Sequence, residues 1–283
     1  MTLALWTLDV GNSSAKLRAW EATSNADGRV SLRRVDGPAA LSKSIPLADA
    51  RAALELALEA RTRNNAPLVV ALSCVASVAL EQELATWLSQ RGEVEALVNP
   101  DSGLVNEALP PQSVGRDRLY AARGAFERVG SSSIVIDAGS AMTVDLLLVD
   151  VGGGRATARF AGGAIAPGPA LLARALHEHT ARLPLVETRS GASALGRNTT
   201  AAIEAGVFHG LRGAARELVQ RLASECAGAP LELVITGGAA SWLLEPELFV
   251  GRSPIHEPDL VHLGLAHAAL DARAANSSPR GDA

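Results

Sequence analysis

The 283-residue chain is 48% apolar and 20% charged, with a net charge of −4, which is the balance of a globular protein large enough for two cores and not of a fibrous or disordered one. The mild acidity argues against a nucleic-acid partner, because phosphate backbones are met by basic surfaces. No segment approaches the roughly 18 apolar residues of a membrane span, and no basic, apolar and small-residue leader opens the sequence, so a cytoplasmic protein with no membrane partner is expected.

In chain order, strand-like stretches fall near 3–10, 14–21 and 29–35. A helix-rich run, "PLADARAALELALEARTRNN", covers 46–65, then the apolar strand "PLVVALSCV" and a second helix near 77–91. Together they read as a mixed sheet with helices packed on it. Residues 99–114, "NPDSGLVNEALPPQSV", have no clear period and contain three prolines, the mark of a connection or binding loop. The boundary between two domains, 1–112 and 113–283, is placed there. Cys74 and Cys226 have no His or Cys at metal-ligand spacing, so both are expected as reduced, mostly buried thiols.

The first strand ends in "LDVGNSSAK", residues 8–16. A hairpin turn on Gly11-Asn12 accounts for it without function, since both residues tolerate positive φ. A phosphate cradle also accounts for it, with backbone amides and the Ser13 and Ser14 hydroxyls around the phosphate, Asp9 at its metal ion and Lys16 neutralising charge. The paired glycines of a Walker loop and the three spaced glycines of a dinucleotide fingerprint are both absent from this stretch.

The pattern returns at 133–149, "SIVIDAGSAMTVDLLLV", where Asp137 stands 128 positions after Asp9. Two copies of strand, acidic turn and strand suggest two related domains facing one another across a cleft, with phosphates between the turns. A third stretch, "LELVITGGAASWL" at 231–243, is a strand ending in Thr236-Gly237-Gly238 before a helix; paired glycines let backbone approach a flat ligand such as a nucleoside.

These signals, in this order, resemble the superfamily of acetate kinase, sugar kinases, heat-shock chaperones and actin. The segments "DVGNSSAK", "VGRDRLYAARGA" at 114–125, "DAGSAMTVD" at 137–145, "GGAIAPGPALLARALHEHTARLPLV" at 162–186 and "ALGRNTTAAIEAGVFHG" at 194–210 narrow this. Over roughly residues 3–270 the chain is similar to the type III pantothenate kinase family, which includes Bvg accessory factor-like members. The resemblance implies an α/β fold of two related ribonuclease H-like (actin-like ATPase) domains flanking an ATP cleft. It also implies transfer of a phosphoryl group from ATP to pantothenate, the first step of coenzyme A synthesis, by a homodimer.

By the same resemblance, Asp117 in "GRDR" is the base that takes the hydroxyl proton. Gly115, Arg116 and Arg118 beside it, with Thr199 in "GRNT", would contact pantothenate. Asp9, Val10, Gly11, Asn12, Ser13, Ser14 and Lys16 would wrap the ATP phosphates, Asp9 holding Mg2+ through them, and Ser140 would contact ATP. Asp137 would coordinate the monovalent cation, potassium or ammonium, that this family generally requires. Read plainly, the "NTTAAIE" stretch is a helix start whose hydroxyls cap it, and a helix start also offers amides to a carboxylate. His177 and His179 point in different directions on a helix and read as helix-end or packing residues.

Two departures from the family pattern stand out. Ser140 replaces a common threonine and keeps the hydroxyl. The tyrosine that members often place before the "GRDR" segment is missing: Leu109 is the nearest counterpart, and the only tyrosine, Tyr120, follows the motif. Two other functions share these motifs: a regulatory protein that kept the fold, in which the acidic residues should have decayed, and a superfamily kinase for another small molecule. The small, polar end of the chain, from about residue 273, is expected to fray.

Overall fold

The computed structural model describes residues 2–24, 30–35, 44–61, 67–152, 155–226 and 230–277. They form two compact units, one comprising Met1–Leu104, Val114–Gly124 and Val261–Ala283, the other Val105–Ser113 and Ala125–Leu260. The units do not follow a single cut at 112, because 114–124 and 261–283 belong with the first.

In the first unit, β1 (Thr2–Val10) runs antiparallel to β2 (Ala15–Ser24), which pairs with β3 (Val30–Val35) and the short β4 (Ser44–Ile45). On its other side β1 is parallel to β5 (Leu68–Cys74), and β5 to β6 (Val94–Val98). The sheet order is β3-β2-β1-β5-β6. All seven residues of β5 are buried, which is why "LVVALSC" is a continuous apolar run: a central parallel strand is covered on both faces. Helix α1 (Ala50–Ala60) buries Leu54, and α2 (Val78–Ser89) buries Leu84 and Leu88. The Ser77 hydroxyl caps α2, accepting from Leu80 N at 3.2 Å. The helical run at 46–65 is shorter than expected, a 3-10 turn at 47–49 followed by α1; residues 62–65 lie outside the described residues.

The segment 99–114 supplies β7 (Val105–Asn106), and α3 (Arg116–Val129) follows. In the second unit β8 (Ser133–Ala138), β9 (Ala141–Gly152) and β10 (Arg155–Pro167) form an antiparallel series. After α4 (Pro169–Glu178) and α5 (Thr199–Glu225), strands β11 (Glu232–Thr236) and β12 (Pro254–His256) add in parallel beside β8. Read from its other side, and leaving out the two-residue β7 that pairs with β10 and the β4 that pairs with β2, the order β10-β9-β8-β11-β12 repeats that of the first sheet strand for strand: third, second, first, fourth, fifth. The two related α/β halves expected from the repeated acidic turn are therefore present in topology. The second core gathers Ile134, Val144, Phe208, Leu211, Ile235 and Trp242 around this sheet.

Two local expectations are corrected. After Thr236 the chain makes only a three-residue 3-10 turn, Ala240–Trp242, and not a helix. The C-terminal segment is ordered further than composition suggested: α6 (Leu260–Ser277) takes in residues 273–277. Its apolar residues Leu265, Ala266, Ala268 and Ala269 are fully buried, and packing holds a helix that its small polar end would not. Residues 278–283 of the expected tail lie outside the described residues. Cys74 is buried and Cys226 half-buried, both as free thiols. Among the described residues no helix is long and apolar enough to cross a membrane.

Candidate active site

The acid of each repeated turn occupies the same place in its sheet. Asp9 is the penultimate residue of β1 and Asp137 that of β8, each beside a parallel strand carrying a hydroxyl residue in register, Ser73 and Thr236. The acid sits where the buried strand reaches the sheet edge and its backbone pairs end, the usual ligand edge of α/β sheets.

In the first unit the chain turns through Gly11–Ser14, closed by Gly11 N donating to Ser14 O at 3.0 Å. The hairpin exists, but neither Gly11 nor Asn12 has a positive φ, so the turn does not need these residues for the reason a primed turn would. A Cβ at Gly11 would make only an ordinary 3.5 Å contact with Ser14 O. Neither backbone strain nor crowding within the unit therefore explains the glycine, whereas close approach by a ligand would. Asn12 and Ser13 are exposed, and Asp9, Ser14 and Lys16 half-buried. Val10 is buried and holds the turn to the neighbouring strand, its carbonyl accepting from Val75 N at 2.9 Å.

Asp117 lies in the first turn of α3, and its Oδ1 accepts from Arg118 N at 2.9 Å. A carboxylate in that position is favoured by the exposed amides and the positive end of the helix dipole. Gly115 makes the arrangement possible: a Cβ there would lie well under 3.0 Å from Asp117 Oδ1. Arg116 is exposed, with Nη1 3.4 Å from Asn99 O, and Arg118 is half-buried. Tyr120, by contrast, is fully buried, and its hydroxyl donates to Pro100 O at 2.6 Å; burial pushes its phenol well above the ordinary range. It ties loop to helix and is no stand-in for the absent tyrosine. Leu109, that residue's nearest counterpart, is 92% exposed.

In the second unit two glycines, Gly168 and Gly237, close around the Asp137–Ser140 turn. A Cβ on Gly168 would meet the carbonyl oxygens of Gly139 and Ser140, and one on Gly237, whose φ is +95°, would meet Asp137 Oδ1 and lie 2.6 Å from Ala138 C. The freedom of Gly237 is thus used inside the protein, against the expectation that the pair serves a ligand. Only Gly238 leaves open space, with nothing within 4 Å of a Cβ. Ser140 is exposed and its carbonyl accepts from Gly168 N at 3.1 Å.

Thr199 is the first residue of α5 and is exposed. The cap belongs to Asn198, not to the threonines: Asn198 Oδ1 accepts from Ala201 N at 2.9 Å, which leaves the Thr199 and Thr200 hydroxyls available to solvent or ligand. His177 and His179 sit at the end of α4, exposed, with His177 Nδ1 2.8 Å from Leu183 O, a helix-end role.

A group that sequence reasoning missed lies beneath Asp9. Thr7 Oγ1 accepts from Trp20 Nε1 at 2.9 Å and is 2.9 Å from His262 Nδ1. His262 is 2% exposed; burial first, then the charges of Arg18, Lys16 and Arg34, hold its imidazole well below the usual histidine range.

The description "Type III pantothenate kinase" is that of the family model that matches residues 5–221. The chain belongs to the type III pantothenate kinase family. The match takes in Asp9, Asp117, Asp137 and Thr199 and ends before β11 and α6. A type III pantothenate kinase of Dehalococcoides mccartyi is 37% identical over 155 residues, 55% of this chain and 55% of that protein. Another, from Hyphomonas neptunium, is 34% identical over 167 residues, 58% of this chain and 60% of that one. The chain spans about half the length of the curated relatives it matches. Among solved structures, a putative 2-dehydro-3-deoxygalactonokinase from Sinorhizobium meliloti aligns over 99% of this chain and 98% of its own, at 15% identity and a TM-score of 0.48.

Proposed function

We propose that this protein transfers the γ-phosphoryl group of ATP to the primary hydroxyl of pantothenate, the entry step of coenzyme A synthesis, in the cytoplasm. The observation that carries the reading is family membership over 5–221 with the acid of both strand-end turns and the Asp117 carboxylate retained. A regulatory protein that had kept only the fold would be expected to lose its acids, yet Asp9, Asp117 and Asp137 are all present.

In this reading Asp117 Oδ1 is fixed by Arg118 N, and Oδ2 accepts the proton of the pantothenate hydroxyl. As the proton leaves, the hydroxyl oxygen bonds to the γ-phosphorus, the bond to the β,γ-bridging oxygen breaks, and ADP departs. Gly115, Arg116, Arg118 and Thr199 are the residues proposed to contact pantothenate, the arginines as cations suited to a carboxylate. Val10, Gly11, Asn12, Ser13, Ser14 and Lys16 hold the phosphates, with the amides and hydroxyls as donors, and Ser140 adds a hydroxyl to ATP.

The first unit's residues fit a magnesium ion held mainly by phosphate and water. Ser73, in register with Asp9, has a buried hydroxyl oxygen with no hydrogen-bond partner among the described residues. No group of three metal-ligating side chains occurs among the described residues, so one carboxylate would share the ion with the nucleotide. Asp9 would hold that Mg2+, and Asp137 a potassium or ammonium ion; such cations offset the charge that builds on the transferred group. A homodimer is the expected working form, supported by the exposed leucines Leu171, Leu185 and Leu195 of the second unit. The test is ADP release by purified protein across a panel of pantothenate, sugars and short-chain acids. Turnover with pantothenate alone is expected; turnover with another acceptor and none with pantothenate would overturn the reading.

A further inference from the structure

Glycine is among the poorest helix formers, yet Gly264 lies inside α6 in a buried apolar stretch. The reason is a backbone contact. A Cβ at Gly264 would fall well under 3.0 Å from Tyr120 O and 2.8 Å from both Tyr120 C and Gly124 N. These are backbone atoms of α3, so no flexible side chain is there to yield. Helix α6 meets α3 with nothing between them.

The other side of α6 meets β1. His262 precedes Gly264 by two residues, which at 100° per residue turns it to nearly the opposite face. Its Nδ1 lies 2.9 Å from Thr7 Oγ1, and Thr7 stands two residues before Asp9 on the same face of β1. On α3, Asp117 stands three residues before Tyr120. One helix thus separates the strand that carries Asp9 near its end from the helix that carries Asp117 in its first turn. Two further contacts keep it from sliding: Arg123 Nη2 bonds Asp271 Oδ2 at 2.7 Å, and Arg273 Nε bonds Glu95 Oε2 at 2.8 Å.

We propose that α6 is the spacer that sets the distance between Asp9 and Asp117, with Gly264 and His262 as its positioning residues. The inference rests on the kinase reading above, and it concerns a segment outside the 5–221 family match. Neither residue touches substrate. Both act by fixing how far apart the phosphate-loop acid and the base stand within the first unit.

The test is Gly264→Ala in the full-length protein. The added methyl pushes α3 from α6 by on the order of 1 Å, a misplacement that costs reacting groups about 100-fold in rate. The expected result is a kcat lowered 30- to 100-fold, by that same estimate, with affinity for a fluorescent ATP analogue within about threefold of wild type. Crystal structures of the two proteins should show a lengthened Asp9-to-Asp117 separation. A merely structural role predicts instead a smaller folded fraction with kcat per nucleotide-binding site unchanged; that result, or an unchanged separation, overturns the proposal. If Gly264→Ala does not yield folded protein, Thr7→Val, which removes the hydroxyl against His262, is measured in its place. A roughly tenfold loss in kcat at unchanged nucleotide affinity is expected, and kcat within about twofold of wild type overturns the proposal. A wild-type protein without pantothenate-dependent turnover would instead overturn the kinase reading, and this inference with it.

Discussion

The His262 imidazole should leave a signature in the pH dependence of stability. Unfolded, it binds a proton below about pH 6.5. Folded, it is 2% exposed and bonded to Thr7, and burial first, then the charges of Arg18, Lys16 and Arg34, lower its pKa well below the ordinary value. Between those two values the unfolded chain holds one proton more than the folded one. The free energy of unfolding therefore rises with pH in that window, by up to ~1.4 kcal/mol per pH unit. The contribution is complete above about pH 6.5 and is lost as pH falls towards the folded pKa. Other groups titrate in the same range, so the comparison is with His262→Asn, which cannot take up the proton. Urea unfolding of both proteins at several values between about pH 5 and 7.5 gives two curves. The wild-type curve should fall more steeply with acid, narrowing the gap to the variant by about 1 kcal/mol per pH unit. Parallel curves would refute the reasoning, for they would mean that the imidazole titrates alike in both states.

Three further outcomes follow from single contacts. Gly115→Ala crowds Asp117 Oδ1 and forces the carboxylate off Arg118 N; steady-state assays should show kcat down about 10- to 100-fold with the thermal midpoint little changed. Gly237→Ala meets both a φ of +95° and the Asp137 carboxylate; it should cost about 1–3 kcal/mol in urea unfolding and abolish activation by potassium. Tyr120→Phe removes the 2.6 Å bond to Pro100 O and leaves a buried carbonyl without its donor, a loss of about 1–3 kcal/mol measurable by the same unfolding assay, while the apparent affinity for ATP is unchanged.

Much of the site is legible in the residues because it lies where local patterns change. An apolar run that stops at acid and glycine marks a strand reaching its edge, so Asp9 and Asp137 could be placed, and their equivalence, from sequence alone. The α5 start follows from capping chemistry, although its cap is Asn198 and not the threonines that the sequence suggested. What could not be read was long-range. Gly237 looks like a ligand glycine until Asp137 is seen beside it, and Tyr120 gives no hint of the Pro100 carbonyl 20 residues back. The return of α6 to the first unit pairs residues 255 positions apart, as Thr7 and His262 do. The one trace it leaves is a glycine in the middle of "LVHLGLAHAAL", a costly choice for a helix unless another backbone lies against it.

The central claim is pantothenate phosphorylation with Asp117 as base, and ADP release from ATP and magnesium tests it most directly. Wild-type protein and Asp117→Asn are compared, each with and without pantothenate, in potassium and then in sodium. The account predicts turnover that requires pantothenate, falls when sodium replaces potassium, and drops about 100- to 10,000-fold in the variant. Wild-type protein that binds ATP but releases no ADP on addition of pantothenate, or a variant as active as the wild type, would contradict it.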